Sequence, residues 1–90
     1  MSSTIKLAPL LRKSAGGQET VEVNASTPLE SLANLERQFP SVRRWLYDKQ
    51  GDLRPEVIFF VNGERAFPEE LTKPLQDGDE VYLMLAIAGG

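Results

Sequence analysis

Cysteine and histidine are both absent from the 90 residues of this chain. Without cysteine there is no disulfide framework, no thiolate metal site and no thiol nucleophile. Without histidine the chain lacks the commonest general base and the commonest metal ligand at neutral pH. An excess of positive charge is also missing: 10 Lys and Arg stand against 13 Asp and Glu, a net charge of -3, so no basic face for nucleic acid is expected. No long hydrophobic run occurs. The longest, residues 81–88, falls well short of the about 20 residues that cross a bilayer. The opening Met-Ser-Ser-Thr-Ile-Lys has no apolar stretch of a secretory signal. A cytoplasmic domain with neither membrane nor nucleic-acid partners is expected. Gly16-Gly17 is not followed by the Gly-Lys-Ser/Thr of a phosphate-cradling loop. Glu69-Glu70 and Asp77 with Asp79 fall short of a calcium loop's ligand count, so no metal site is expected. The composition is 41% hydrophobic, enough for one modest core and one domain. Such a chain is poorly equipped for catalysis on its own, and a non-enzyme is expected.

The pattern of residues predicts an α+β fold. Residues 4–8 alternate with Ile5 and Leu7 on one face, and residues 20–24 with Val21 and Val23 on one face, an expected antiparallel pair joined across Gly16-Gly17. Thr27-Pro28-Leu29-Glu30 reads as a helix start: an accepting hydroxyl, a proline where no N–H is needed, and a glutamate at capping-box spacing. Leu29, Leu32, Ala33, Leu35 and Phe39 then mark an apolar helix face, and Pro40 ends the run. Ser41 is a candidate cap for a second short helix carrying Val42, Trp45 and Leu46, and residues 48–55 read as loop. Residues 57–61 are strand. Asn62-Gly63 signals a hairpin into a return strand over residues 64–67, and Asp77-Gly78-Asp79 turns the chain into a last strand over residues 80–85.

Two features ask for more than packing. Val57, Phe59 and Val61 share one strand face with Val81, Leu83 and Leu85 on the other strand. Ile58, Phe60, Tyr82 and Met84 then make the opposite face apolar too, and a single helix covers only one side of a sheet, which marks the second face as a partner surface. The other feature is the end, Ala86-Ile87-Ala88-Gly89-Gly90. Small residues and two glycines make a thin thread of roughly 16 Å, suited to carrying a backbone carboxylate into a narrow site on another protein. The plain alternatives are cover of the apolar face by the Trp45 segment or the Leu53 loop, and, for the end, a frayed tail or a cloning remnant. Arg43-Arg44-Trp45 suggests an anion or aromatic ligand site, but reads more simply as a solvated charged pair beside one core aromatic. Lys6, Lys13, Lys49 and Lys73 read as solubilising charges, and the acidic excess as an aid to docking on a basic partner groove.

Val61-Asn62-Gly63-Glu64, then residues 74–81 (Pro-Leu-Gln-Asp-Gly-Asp-Glu-Val), then Ile87-Ala88-Gly89-Gly90 together resemble the ThiS/MoaD family of ubiquitin-like sulfur-carrier proteins. The longer N-terminal loop and residues 48–55 look most like the cysteine-synthesis and siderophore carriers of that family. The resemblance implies a β-grasp fold, a mixed sheet of four to five strands on one main helix, with residues 1–85 as the domain and 86–90 as a flexible tail. It implies that Gly90, preceded by Gly89, carries the functional carboxylate. In this family an ATP-dependent activating enzyme, with Mg²⁺, adenylates that group, a sulfur donor displaces AMP to leave a thiocarboxylate, and a downstream synthase takes the sulfur. Some relatives are first trimmed by a metalloprotease. No cofactor is expected on the chain itself. Ile58, Phe60, Tyr82 and Met84 are the expected docking surface, and Leu85, Ala86, Ile87 and Ala88 the segment that lines the activating enzyme's channel. A ubiquitin-like modifier joined through Gly90 to lysines, or a non-catalytic binding domain, are the other readings.

Overall fold

The computed structural model describes residues 2–86. Five strands form one sheet: β1 (Ser2–Leu7), β2 (Thr20–Asn24), β3 (Val57–Val61), β4 (Glu64–Ala66) and β5 (Glu80–Leu85). Their order across the sheet is β2-β1-β5-β3-β4. The outer pairs are antiparallel, but β1 and β5, the first and last strands, run parallel at the centre with Ile5 opposite Val81 and Leu7 opposite Leu83. This is the expected α+β, β-grasp arrangement. Helix α1 (Pro9–Arg12) leads through a 3-10 turn to Gly16 and Gly17, both in the left-handed region. The main helix α2 (Pro28–Gln38) crosses one face, and α3 (Arg43–Leu46) follows a second 3-10 turn.

Strand faces follow the alternation of the sequence. Ile5, Leu7, Val21, Val23, Val57, Phe59, Val81 and Leu83 turn inward and are buried with Leu32 and Leu35 of α2, and with Leu11, Val42 and Leu46. At the start of α2 the Thr27 hydroxyl accepts from the Glu30 N–H at 3.1 Å, with Pro28 in the first turn. The Glu30 carboxylate reaches back to the N–H of Ser26, not of Thr27 itself, so the box closes one residue earlier than the expected form.

Three expectations need correction. The stripe that α2 buries is Pro28, Ser31, Leu32 and Leu35, whereas Leu29 and Ala33 are exposed. A helix step of about 100° places 28, 31, 32 and 35 along one line and swings 29 and 33 off it. Burying Ser31 is tolerated because its hydroxyl donates to the Pro28 carbonyl. Second, β1 begins at Ser2 and stops at Leu7, because the turn at Asp77-Gly78 pins its start: the Ser2 N–H donates to Asp77 Oδ1 and the Gly78 N–H to the Ser2 carbonyl. Third, Ser41 caps nothing. The turn starts at Pro40, and its entry has no side-chain cap.

The β3–β4 hairpin turns at Asn62 (φ 50°) and Gly63 (φ 84°), two left-handed residues whose twist matches the strands. Asn62 also clamps the entry of β5. Its Oδ1 accepts from the Glu80 N–H at 3.0 Å, and its Nδ2 donates to Asp79 Oδ1 at 2.9 Å. Asp79 Oδ2 accepts from the Gln76 N–H. The Gln76 amide and then the Asn62 amide hold the Asp79 carboxyl below its ordinary 3.8, against a smaller opposing effect of desolvation. A carboxylate whose folded pKa is depressed adds stability above its unfolded value and loses it as pH falls through the folded one. Acid titration of unfolding should therefore show Asp79→Asn losing less stability than the parent between about pH 5 and pH 2. Parallel curves would remove this anchor from the fold's acid response.

Candidate functional site

Strand β5 occupies the centre of the sheet and delivers the chain toward its last residues. Its end is held from both sides: the Ala8 N–H donates to the Leu83 carbonyl, and the Ala86 N–H to the Glu56 carbonyl at 2.7 Å. Leu85 lies opposite Val57, half-buried against the core, and Ala86 is exposed. Residue 86, expected as the first of the tail, thus still holds a backbone bond to the body of the domain. Ile87, Ala88, Gly89 and Gly90, named above as channel and reactive-end residues, lie outside the described residues.

The outward face of the sheet brings the other expected residues together. Ile58 pairs across the strands with Met84, and Phe60 with Tyr82. All four are half-buried, and none belongs to the core cluster. The Phe60 and Tyr82 rings meet edge to face with centroids 6.3 Å apart, a favourable geometry for a surface aromatic pair. Pairing extends the Phe60–Tyr82 row to Arg65 on β4 and to Lys6 on β1, so a cation stands at each end of an aromatic centre. The cover foreseen as the plain alternative is on the other side: Trp45 and Leu53 pack against the core. Among the described residues, sequence reading missed the exposed large apolar side chains Leu10, Leu29 and Phe67. The sequence pattern places Phe67 at the end of a strand and Leu29 on the core face, and Leu10 has no periodic signal.

Beneath β5, on the helix side, the sequence gives no warning of what surrounds Leu85. A cleft of about 330 Å³ there is lined by Arg44, Trp45, Arg54, Glu56 and Leu85. Trp45 is half-buried, its indole N–H donating to Ser14 Oγ at 3.0 Å. This agrees with its reading as a core aromatic. Arg43 pairs with Glu36 and lies over the Tyr47 ring. Burial, then the charge of Glu36, push the Tyr47 phenol up, and Arg43 opposes them. A larger cleft of about 390 Å³ separates the β3–β4 hairpin from Lys73, Pro74 and the start of α2. Among the described residues, no group of three His, Cys, Asp or Glu side chains could hold a metal ion, and no helix is long and apolar enough to cross a membrane.

The central parallel pair, the helix laid across one face and the last strand running out beside β3 define a ubiquitin-like β-grasp protein. The chain belongs to the ThiS family, whose sequence pattern matches residues 5–90. It is 31% identical, over the whole of both chains, to the sulfur carrier protein CysO of Mycobacterium tuberculosis. Among solved structures it is similar to SAMP1 from Haloferax volcanii (28% identity, 100% of each chain, TM-score 0.87). It is also similar to a chain of the BexX/CysO complex of Amycolatopsis orientalis (28% identity, 98% of this chain and 99% of that one, TM-score 0.82).

Proposed function

We propose that this chain is a sulfur carrier that works through the carboxylate of Gly90. The family match that runs through that residue carries the reading, and the resemblance to CysO over the full chain supports it. A terminal carboxyl, with a pKa of about 3.5, is an anion at neutral pH and a poor electrophile. Its oxygen attacks the α-phosphorus of ATP, pyrophosphate leaves, and an acyl adenylate forms. A sulfide equivalent then adds to the carbonyl carbon and AMP departs with the electron pair, leaving –COS⁻ for transfer to an acceptor. Nucleotide and Mg²⁺ are assigned to the activating enzyme, because this chain has no phosphate-cradling sequence. The related CysO crystallised with BexX supports a life spent in transient complexes, here with an activating enzyme, a sulfur donor and a synthase that accepts the sulfur. A trimming metalloprotease is needed only where residues follow Gly90.

Intact-mass spectrometry after incubation with ATP, Mg²⁺, the activating enzyme and sulfide tests it. The expected result is a gain of about 16 Da at the terminus, sulfur replacing oxygen. An unchanged mass refutes the reading. The likeness to an archaeal protein named as a small modifier favours conjugation as the second reading, and adducts joined from Gly90 to lysines of other proteins would establish it instead.

The docking surface belongs to the same proposal. Ile58, Phe60, Tyr82 and Met84 form a small apolar centre that a partner covers and releases, while Leu85, on the opposite face of the strand, and Ala86 lead in sequence to Ile87 and Ala88 as the channel segment. Phe60→Asp or Met84→Asp should weaken the complex with the activating enzyme by about tenfold or more, as loss of a central apolar contact does, while the thermal midpoint moves by only a few degrees. Calorimetric titration showing unchanged affinity would rule the patch out.

A further inference from the structure

The charge around the end of β5 is the reverse of the chain's overall sign. The cleft under Leu85 is lined by two guanidinium groups and a single carboxylate, that of Glu56. Arg44 is shared with two adjoining recesses, one of about 380 Å³ that adds Arg43, Lys49 and one carboxylate, Asp48, the other adding Lys13. Three other cations are paired, Arg12 with Glu19, Arg43 with Glu36 and Lys73 with Glu70. Among the described residues neither Arg44 nor Arg54 has an ion-pair partner. Both are nevertheless oriented. Arg44 lies over the Trp45 ring, 5.1 Å from its centroid, and Arg54 donates its Nε–H to the Arg44 carbonyl at 3.0 Å.

We propose that this cleft is a second docking site, one that takes a carboxylate-bearing segment of the enzyme that activates the terminus; the inference rests on the carrier reading above. A planar guanidinium held by stacking or by one spent donor presents the rest of its fork to a carboxylate with little further loss of freedom. Trp45 and Leu85 supply an apolar floor that a free inorganic anion would not use. Position adds to this, since any enzyme that receives the end of the chain must come to the end of β5. Leu85 turns to the helix side while Tyr82 and Met84 turn to the other, so the partner grips the strand from both faces. The Arg43-Arg44-Trp45 run thereby takes the less favoured of its two sequence readings, an anion site, and the useful charge for docking is the local positive one.

The test is ATP–pyrophosphate exchange by the activating enzyme, measured against concentration of the full-length carrier. Arg44→Glu with Arg54→Glu should raise the KM for the carrier by about tenfold or more, with kcat within about twofold, since reversal of docking charges acts on encounter and grip. Raising salt from about 0.05 to about 0.5 M should raise the parent KM and leave that of the double variant nearly flat. Lys73→Glu, beside the start of α2, imposes the same change in net charge as Arg44→Glu alone and should leave KM unchanged. Circular dichroism confirms folding, and Arg44→Gln with Arg54→Gln, which retains polar side chains, should show a smaller rise in the same direction. An unchanged KM in the folded Glu variants, or an equal rise in Lys73→Glu, overturns the proposal while leaving the carrier reading intact. No exchange with the parent protein would overturn the carrier reading and this inference together.

Discussion

Deleting Gly89 and Gly90 is expected to abolish adenylation while leaving the thermal midpoint unchanged. Two residues withdraw the terminal carboxylate by about 7 Å from a nucleotide held in another protein, and misplacement of a reacting group by even 1 Å can cost about a hundredfold. Exchange activity should therefore drop below detection. The fold is expected to survive the deletion, since among the described residues one core cluster already runs from Ile5 to Leu83 with Leu85 packed against it. Gly90→Ala keeps the carboxylate but places a methyl group where a bare backbone must thread, and should reduce exchange severely. Full exchange by either variant would show that the reactive group lies elsewhere.

Phe59→Ala should have the largest effect on the fold itself. Phe59 is 2% exposed on β3, opposite Leu83 of β5 and Ala66 of β4. Emptying a buried phenylalanine site costs about 3–5 kcal/mol, a large share of the about 5–15 kcal/mol that holds a small domain. The thermal midpoint should fall by roughly 15 °C or more. Phe60, its neighbour in sequence, faces out and is half-buried. The contrast of Phe59→Ala with Phe60→Asp, one read in melting and the other in partner affinity, separates the two faces of one strand. Equal melting losses would show that the outer face is structural.

Both faces were legible in the sequence, because alternation along a strand is a local property and strands β2, β3 and β5 lie where the pattern put them. The capped start of α2 and the Asn62-Gly63 turn were legible for the same reason: a hydroxyl, a proline or a left-handed φ acts within four residues. The face of α2 was misread at Leu29 and Ala33, since five apolar residues do not mark the phase of a helix when the packed stripe begins at Pro28 and includes Ser31. The candidate reactive end, Gly90, is a reading of sequence alone and lies outside the described residues.

The sequence by itself determined strands β2, β3 and β5, the hairpin turn at Asn62-Gly63, the two-faced character of β3 and β5, and the family. Only the tertiary structure decided that β1 and β5 lie parallel at the centre, and that residues 44, 45, 54, 56 and 85 share one cleft. It also decided that Asn34 and Gln38 of α2 reach the Asn24 and Glu22 carbonyls along the outer edge of β2. Such neighbours are set by burying one common core between distant segments, and that choice is made by the whole chain at once and leaves no periodic trace in any part of it.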